Sequence, residues 1–453
     1  MGRNQLSRRD FVRTTAGAAG VTLAASPILL EPLLIAVSPR AHPPSDRLRF
    51  ASIGVGIRGG ELLRTALACP GTEIVAVCDL YDPRFTAAQE YAQKQLPTTK
   101  DYRAILDRKD IDFVIVATPD HWHAKIVQDA CAAGKDVYCE KPMSHTVEDG
   151  FAMVEAAKKY NRIVQVGSQR RSSIVYGKAK ELYDSGILGQ VTAIEAILDR
   201  NTREGVGIWP VPPGASEQNI DWNMFLGNAP KRPFDAFRFF RWRSFWDYGE
   251  GVAGDLYIHL VTGYHYVAGI TAPPSRATTV GGLFRWKEHR EVPDVLWTLY
   301  EYPDLRVGVR SNMNNESPDS TTFYGTEGTL EIKNNVVTVY PQNIPSSPEN
   351  YPLQSWPSDM RNEYLKQWHK AHPSPAPGDF RVVESAQAFT TPHGYDDSLN
   401  HMSNFLESVR SRRPPVEDTE FGNIAAITCH MANYAYLNKT IATWDADGRR
   451  VKG

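Results

Sequence analysis

The strongest constraint on the fold of this 453-residue chain is Gly54-Val55-Gly56-Ile57-Arg58-Gly59. This Gly-x-Gly-x-x-Gly follows the apolar run 48–53. Asp79 stands twenty residues past Gly59 and closes a second apolar run, Ile74-Val75-Ala76-Val77-Cys78. Strand, glycine turn, helix, strand and acid in that order predict a βαβ unit that holds a dinucleotide. The first glycine permits a tight turn, the second lets the backbone approach a pyrophosphate, and the third lets the helix sit close to the strand. The phosphates would meet the positive end of that helix. Gly54, Gly56, Ile57, Arg58, Gly59 and Asp79 are therefore candidate cofactor residues, Asp79 being placed to accept hydrogen bonds from a ribose 2′-hydroxyl. Asp79 favours NAD because it would repel a 2′-phosphate. Arg58 or Arg84 could offset that repulsion, so NADP stays open.

The rest of the chain divides on periodicity. From 48 to 170, apolar runs alternate with amphipathic helical stretches, as in a doubly wound parallel sheet. After 171, strand-like segments dominate, at 191–198, 277–283, 295–302, 306–313, 321–324, 329–332 and 336–340. Tight connections such as Gly325-Thr326-Glu327-Gly328 and Asn334-Asn335 predict a largely antiparallel, open sheet in an α+β second domain spanning 171–453. The proline-rich stretch 341–378 reads as a surface excursion, and two helices are expected near 399–411 and 422–438.

The first 41 residues read as a leader and arm. Ser7-Arg8-Arg9-Asp10-Phe11-Val12 precedes an Ala-, Gly- and Thr-rich stretch and resembles a twin-arginine export signal. Pro27, Glu31 and Pro32 interrupt the apolar residues that follow, and a membrane span needs about 20 uninterrupted ones. The expected destination is the periplasm or another extracytoplasmic space, without stable membrane insertion. A net charge of −2 gives no reason to expect a nucleic-acid partner. The five cysteines, Cys69, Cys78, Cys131, Cys139 and Cys429, lack paired spacing and read as core residues, not a disulfide framework or a metal site.

Three further segments carry candidate chemistry. In an open α/β sheet the ligand lies beyond the carboxyl ends of the strands. Thr118, Pro119 and His123 follow one such end, and Glu140-Lys141-Pro142 follows the next. An ammonium group at Lys141 would point into the crevice, where it could hydrogen-bond a substrate hydroxyl and stabilise alkoxide charge. Far away in sequence, Asp255 and His259 are four residues apart behind a glycine-rich approach. On a helix they share a face, and a carboxylate beside an imidazole orients its tautomer. A metal site from Asp255, His259 and His265 is conceivable but lacks the cysteine clusters of metal-dependent dehydrogenases, and no metal is expected.

Together with Phe323-Tyr324-Gly325-Thr326-Glu327-Gly328, these elements resemble the Gfo/Idh/MocA family of glucose–fructose oxidoreductase, inositol dehydrogenase and rhizopine-catabolism proteins, in its secreted branch. The resemblance covers nearly all of the chain past the leader. It implies a nicotinamide cofactor on the first domain and a sugar or polyol between that domain and the open sheet. It implies that Lys141 and His259 contact the reacting hydroxyl, with Asp255 supporting His259, and that copies of the chain associate through the sheet. Arg170 and Arg171 occupy the place of a basic pair that in the family lies near the active site; substrate contact and a structural ion pair are both open. Thr262 stands where many members carry a substrate-holding Asp, and Trp209 is a candidate for stacking on a sugar ring.

Three functions follow from the resemblance. The first is an exported NAD(P)-dependent oxidoreductase with a tightly held cofactor. The second is a glycoside hydrolase or lyase that works through transient oxidation at C3. The third is a non-enzymatic sugar- or nucleotide-binding protein. Retention of Glu140-Lys141-Pro142 and His259 favours the first.

Overall fold

Short, wholly apolar strands such as Phe113–Val116 can be buried on both faces only if helices cover both sides of a parallel sheet. That is the arrangement in a computed structural model, which describes residues 47–203, 205, 207–288, 290–342, 350–372 and 387–453. The twin-arginine leader and the arm lie outside the described residues.

Strands β1 (Leu48–Ile53), β2 (Thr72–Cys78), β3 (Thr98–Thr99), β4 (Phe113–Val116), β5 (Asp136–Cys139) and β6 (Val164–Val166) form a six-stranded parallel sheet in the order β3-β2-β1-β4-β5-β6. Strand order reverses between β1 and β4, so the turns leaving these two strands flank the crevice where such sheets take ligands. Helix α1 (Ile57–Ala68) leaves β1, α2 (Pro83–Ala92) leaves β2, α3 (Asp120–Ala132) leaves β4 and α4 (Val147–Lys159) follows β5.

Beyond α5 (Ile174–Asp184), the chain builds a ten-stranded sheet in the order β14-β13-β12-β11-β7-β10-β9-β8-β15-β16. Its strands are β7 (Val191–Ile197), β8 (Arg276–Gly282), β9 (Val295–Glu301), β10 (Arg306–Asn312), β11 (Ser320–Gly325), β12 (Gly328–Lys333), β13 (Val336–Pro341), β14 (Gln387–Thr390), β15 (Ala442–Asp445) and β16 (Arg450–Lys452). The sheet is mixed, since β7 pairs in parallel with β10 while its hairpins are antiparallel. The long connection after β7 frees that strand from hairpin geometry. On one face, Leu296, Tyr300, Val307, Phe323 and Leu330 bury against α6 (Ile258–Ala268) and the C-terminal helix. On the other face, Val280, Trp297 and Leu299 are exposed.

A division at residue 170 does not separate the cores. The exposed helix α7 (Ser358–Ala371) is followed by α8 (Asp397–Ser411), which returns to the first layer. There Met402, Phe405, Leu406 and Val409 join Phe50, Leu62 and Phe113 in one cluster, with the Phe113 and Phe405 rings 5.3 Å apart. Helix α9 (Thr419–Asn438) contributes to the cores of both layers. A further aromatic cluster, built from Trp222, Phe225, Phe239, Phe240, Phe245 and Tyr248, docks on Tyr81 at the end of β2. Among the described residues, no helix is long and apolar enough to cross a membrane.

Candidate active site

The glycine turn makes an anion cradle. Helix α1 begins after Gly56 with no side-chain cap and no acidic residue in its first turn, so its leading N–H groups are left for a ligand. A Cβ on Gly59 would lie 2.0 Å from the Gly54 carbonyl oxygen, so only glycine lets the helix start this close to the strand. These features fit the pyrophosphate of a dinucleotide. The cradle opens into a cleft lined by Gly54, Gly56, Ile57, Arg58, Asp79, Thr118, Pro119, Trp122, Trp209, Phe239, Phe240, Trp242 and Arg243. The Thr118 hydroxyl is buried without a hydrogen-bond partner among the described residues, and so is available to a ligand.

The acid after β2 does more than the sequence suggests. Asp79 accepts from the backbone N–H groups of Val55 (2.8 Å) and Tyr81 (3.0 Å), which locks the glycine turn to β2. Of the two arginines able to offset its charge, Arg84 lies beside it, with Nη1 3.2 Å from Oδ1, and packs on Phe239 and Phe240. Arg58 turns the other way. Its Nε donates to Glu140 at 2.8 Å, and Nη1 donates to Glu61.

Two expected cofactor residues prove to be scaffolding. Glu140 is buried, with Oε1 on Arg58 and Oε2 accepting from the Lys141 backbone N–H, so it ties the glycine turn to the end of β5. His123 is buried too, its ring nitrogens 2.8 Å from the Pro142 carbonyl and 3.0 Å from the Thr118 carbonyl. Its ring clamps the two loops together and has no nitrogen left for the crevice.

Lys141 and Asp255 come together beside Arg243, a residue of this cleft, and His259 feels both of their charges, but the pairing is not the expected one. Lys141 Nζ donates to Asp255 Oδ1 (3.0 Å) and to the Asp255 carbonyl (2.7 Å). Arg243, which lines the cleft, donates from Nε to the same Oδ1 at 3.2 Å. No hydrogen bond joins Asp255 to the His259 ring among the described residues. Residues Ala253–Tyr257 form a π-helical turn, so the regular α spacing assumed for the pair is interrupted before α6 begins. Burial alone would raise the Asp255 pKa, but Lys141 and Arg243 hold it well below the usual carboxylate range. Burial, with the charges of Lys141 and Arg170, pushes His259 well below its ordinary value. The imidazole is therefore neutral, with one ring nitrogen free of a proton.

The other candidates separate by environment. Arg170 stacks over Tyr176 and presses against Gly263 on α6, one turn past His259. Arg171 packs on Phe421 (4.1 Å) and Tyr266 (5.0 Å). Neither makes a salt bridge among the described residues. Thr262 is fully buried and its hydroxyl bonds the Ile258 and His259 carbonyls, so it offers nothing to a substrate. Trp209 lines the dinucleotide cleft itself. His265 is buried on Tyr302.

Three residues not singled out in the sequence complete the site. Besides Arg243 there is Asp120, which accepts from the Glu250 backbone N–H at 3.0 Å. Glu250 in turn bonds His430 Nδ1 and Asn433 Nδ2, each at 2.8 Å. Glu250 thus pins the glycine-rich approach to α9. The only forward signal was position: Asp120 within Thr-Pro-Asp and Glu250 between two glycines.

Residues 48–168 match the family described as an oxidoreductase family with an NAD-binding Rossmann fold, Gfo/Idh/MocA, and residues 178–275 match its C-terminal alpha/beta domain. Inositol 2-dehydrogenase of Salmonella typhimurium (strain LT2) is 35% identical over 145 residues, which cover 32% of this chain and 43% of that protein. A glycosyl hydrolase family 109 protein of Shewanella baltica (strain OS155) is 29% identical over 215 residues, 43% of this chain and 46% of that protein. The chain thus spans less than half the length of these curated relatives. A levoglucosan dehydrogenase solved with NADH and levoglucosan shares the fold, with a TM-score of 0.65 at 17% identity over 88% of this chain and 99% of that one.

Proposed function

We propose that the chain, which matches the Gfo/Idh/MocA oxidoreductase family over residues 48–168 and 178–275, is an exported enzyme of that family moving hydride between a sugar or polyol hydroxyl and a retained nicotinamide cofactor. One observation carries this reading. Lys141 and Asp255, 114 residues apart in sequence, are bonded to each other and, through Asp255, to Arg243 on the wall of the cleft that the glycine turn opens, with the neutral His259 on the same segment as Asp255.

The N–H groups opening α1, Asp79 and Thr118 would hold the cofactor, which would supply the hydride chemistry when bound. The Lys141 ammonium, fixed by two bonds to Asp255, donates to the reacting oxygen and stabilises its negative charge. His259 takes the hydroxyl proton during oxidation and returns it during reduction of the ketone. Asp255 stays ionised throughout and balances Lys141 and Arg243.

The walls of the cleft favour retention of the cofactor. Trp209, Phe239, Phe240 and Trp242 line the cleft opposite the glycine turn, so a dinucleotide there is covered by aromatic surface. A twin-arginine leader carries folded proteins to a space without free NAD(H), which suits a cofactor recycled in place. The exposed apolar face of the larger sheet suits a homo-oligomer.

The similarity to a glycosyl hydrolase family 109 protein favours a second reading, in which transient oxidation of a sugar carbon permits elimination of a glycosidic substituent. A protein that merely binds sugar or nucleotide would have no use for both Lys141 and His259.

Denaturing the purified protein and identifying the released nucleotide by mass tests the first step. A sugar and polyol panel, followed by nicotinamide absorbance, tests the second. Aglycone release from an aryl glycoside without net change in cofactor redox state would select the hydrolase. Absence of a bound nucleotide together with no affinity for NAD(H) or NADP(H) would refute both enzymatic readings.

A further inference from the structure

The charges around His259 do not balance. Four cations lie at the site, Arg58, Lys141, Arg170 and Arg243, and three carboxylates bond them, Glu61, Glu140 and Asp255. Glu140 is taken by Arg58. Lys141 and Arg243 share a single oxygen of Asp255. Arg170 has no salt bridge among the described residues. Asp120 is the other acid of the cluster, and burial raises its pKa well above the ordinary value, so it is a poor counter-charge. Asp397, at the head of α8, also feels Arg170, but burial raises its pKa as well.

Arg170 is the more telling residue. Its Nη1 is shielded from solvent and has no hydrogen-bond acceptor among the described residues. A buried guanidinium nitrogen without an acceptor is costly, and a ligand oxygen would satisfy it. The location fits that role, because a Cβ on Gly263 would lie 3.2 Å from Arg170 Cδ, one helical turn beyond His259. Arg243 is similarly half-committed. Its guanidinium lies over Trp242 at 4.2 Å and bonds Asp255 through Nε, which leaves its outer nitrogens for the cleft. The cofactor phosphates are already served by the start of α1.

We infer that the sugar accepted here carries a carboxylate, as in a uronic or aldonic acid, received by the guanidinium groups of Arg170 and Arg243 beside Lys141. A planar carboxylate suits planar guanidinium donors, with which it can form paired hydrogen bonds. The inference rests on the oxidoreductase reading above and adds the class of its substrate.

The test uses the full chain with its cofactor reduced, read by nicotinamide fluorescence and by the shift in melting temperature, neither of which needs turnover. D-glucuronate, D-galacturonate and D-gluconate are compared with D-glucose, D-galactose and glucose 6-phosphate. The acids should bind about tenfold or more tightly than their neutral parents, since a hydrogen bond to a charged group is worth at least that ratio. The preference should shrink as salt is raised. Arg170→Gln should remove about tenfold of it while nicotinamide fluorescence persists, and Arg170→Lys should restore part. If Arg170→Gln fails to load cofactor, Arg243→Gln carries the same comparison. Equal binding of acids and neutral parents, tighter binding of the phosphate, or an unchanged preference in the loaded variant would overturn the carboxylate assignment alone. If no sugar of any charge perturbs the nicotinamide or is turned over, the oxidoreductase reading falls and this inference falls with it.

Discussion

Asp120 illustrates how burial decides charge at this site. Its Oδ2 accepts from the Glu250 N–H, while Oδ1 is buried with no partner among the described residues. Burial raises its pKa well above the ordinary value, against the opposing pull of Arg243 and of the Glu250 N–H. A carboxyl group whose pKa is higher folded than unfolded binds protons preferentially in the native state. Its contribution to stability is therefore lost as pH rises from about 3.9 through the native value. Asparagine keeps an acceptor for Glu250 and cannot ionise. Asp120→Asn should thus be more stable than the parent at pH 8 by about 1 kcal/mol, with the gap closing toward pH 4, as urea unfolding at the two pH values would show. His259 obeys the opposite sign. Because burial, Lys141 and Arg170 depress it, the acid limb of kcat/KM for oxidation should fall below about pH 6.5. Lys141→Met removes a neighbouring cation, so the His259 pKa should rise, visible as an imidazole resonance titrating at higher pH. Turnover should drop by about two to four orders of magnitude with the ammonium gone. An unshifted His259 titration in that variant would mean that the two groups are not neighbours.

The element that brings these residues together is the π turn Ala253–Tyr257. A Cβ on Gly254 would come within 2.1 Å of Glu250 Cβ and 3.2 Å of Pro142 Cγ, so the turn packs directly on the loop that carries Lys141. Gly254→Ala must force these apart. We expect a loss of about 1–3 kcal/mol in stability, with kcat falling more than cofactor affinity, because the glycine turn after β1 is untouched. Denaturant unfolding and cofactor titration on the same preparation separate the two effects. Sequence reading located the Asp255–His259 segment but gave it α spacing, since nothing in Ala253-Gly254-Asp255-Leu256-Tyr257 announces a widened turn. Strands fared better. The seven segments expected from 191 to 340 are all strands within a residue or two, because alternation between a buried and an open face writes itself into the chain, as in β9, where Leu296, Thr298 and Tyr300 are buried while Trp297 and Leu299 are exposed. The short strands β14 to β16 carry too few residues for that signal. Arg243, Glu250 and Asp120 were illegible for another reason. Their partners lie 12, 180 and 130 residues away, and no local pattern encodes the pairing.

At the scale of the whole molecule, the two sheets share helices, and one large face has no cover among the described residues. Helix α8 finishes the first core and α9 joins both, so residues beyond 396 hold the nucleotide-binding layer together. The outer face of β8, β9 and β10 is different. Val280 is 65% exposed, Trp297 52% and Leu299 64%, on strands whose inner side chains Ala277, Leu296 and Tyr300 are fully buried. An antiparallel sheet can face water, but then its outer positions are normally polar. A cluster of aliphatic and aromatic side chains there fits the proposed homo-oligomer, in which burying each against a second copy would be worth about 1.5–3 kcal/mol. The flanking Glu195 and Arg310 would supply a polar rim. Light scattering should therefore find a dimer or larger assembly. Leu299→Glu combined with Trp297→Lys places charges on the open face and none in the core, so it should yield a monomer with cofactor affinity within about threefold of the parent, a change of about 0.6 kcal/mol. A parent that is already monomeric at micromolar concentration, or a charged variant that keeps its mass, would show that some other surface, or none, joins the copies.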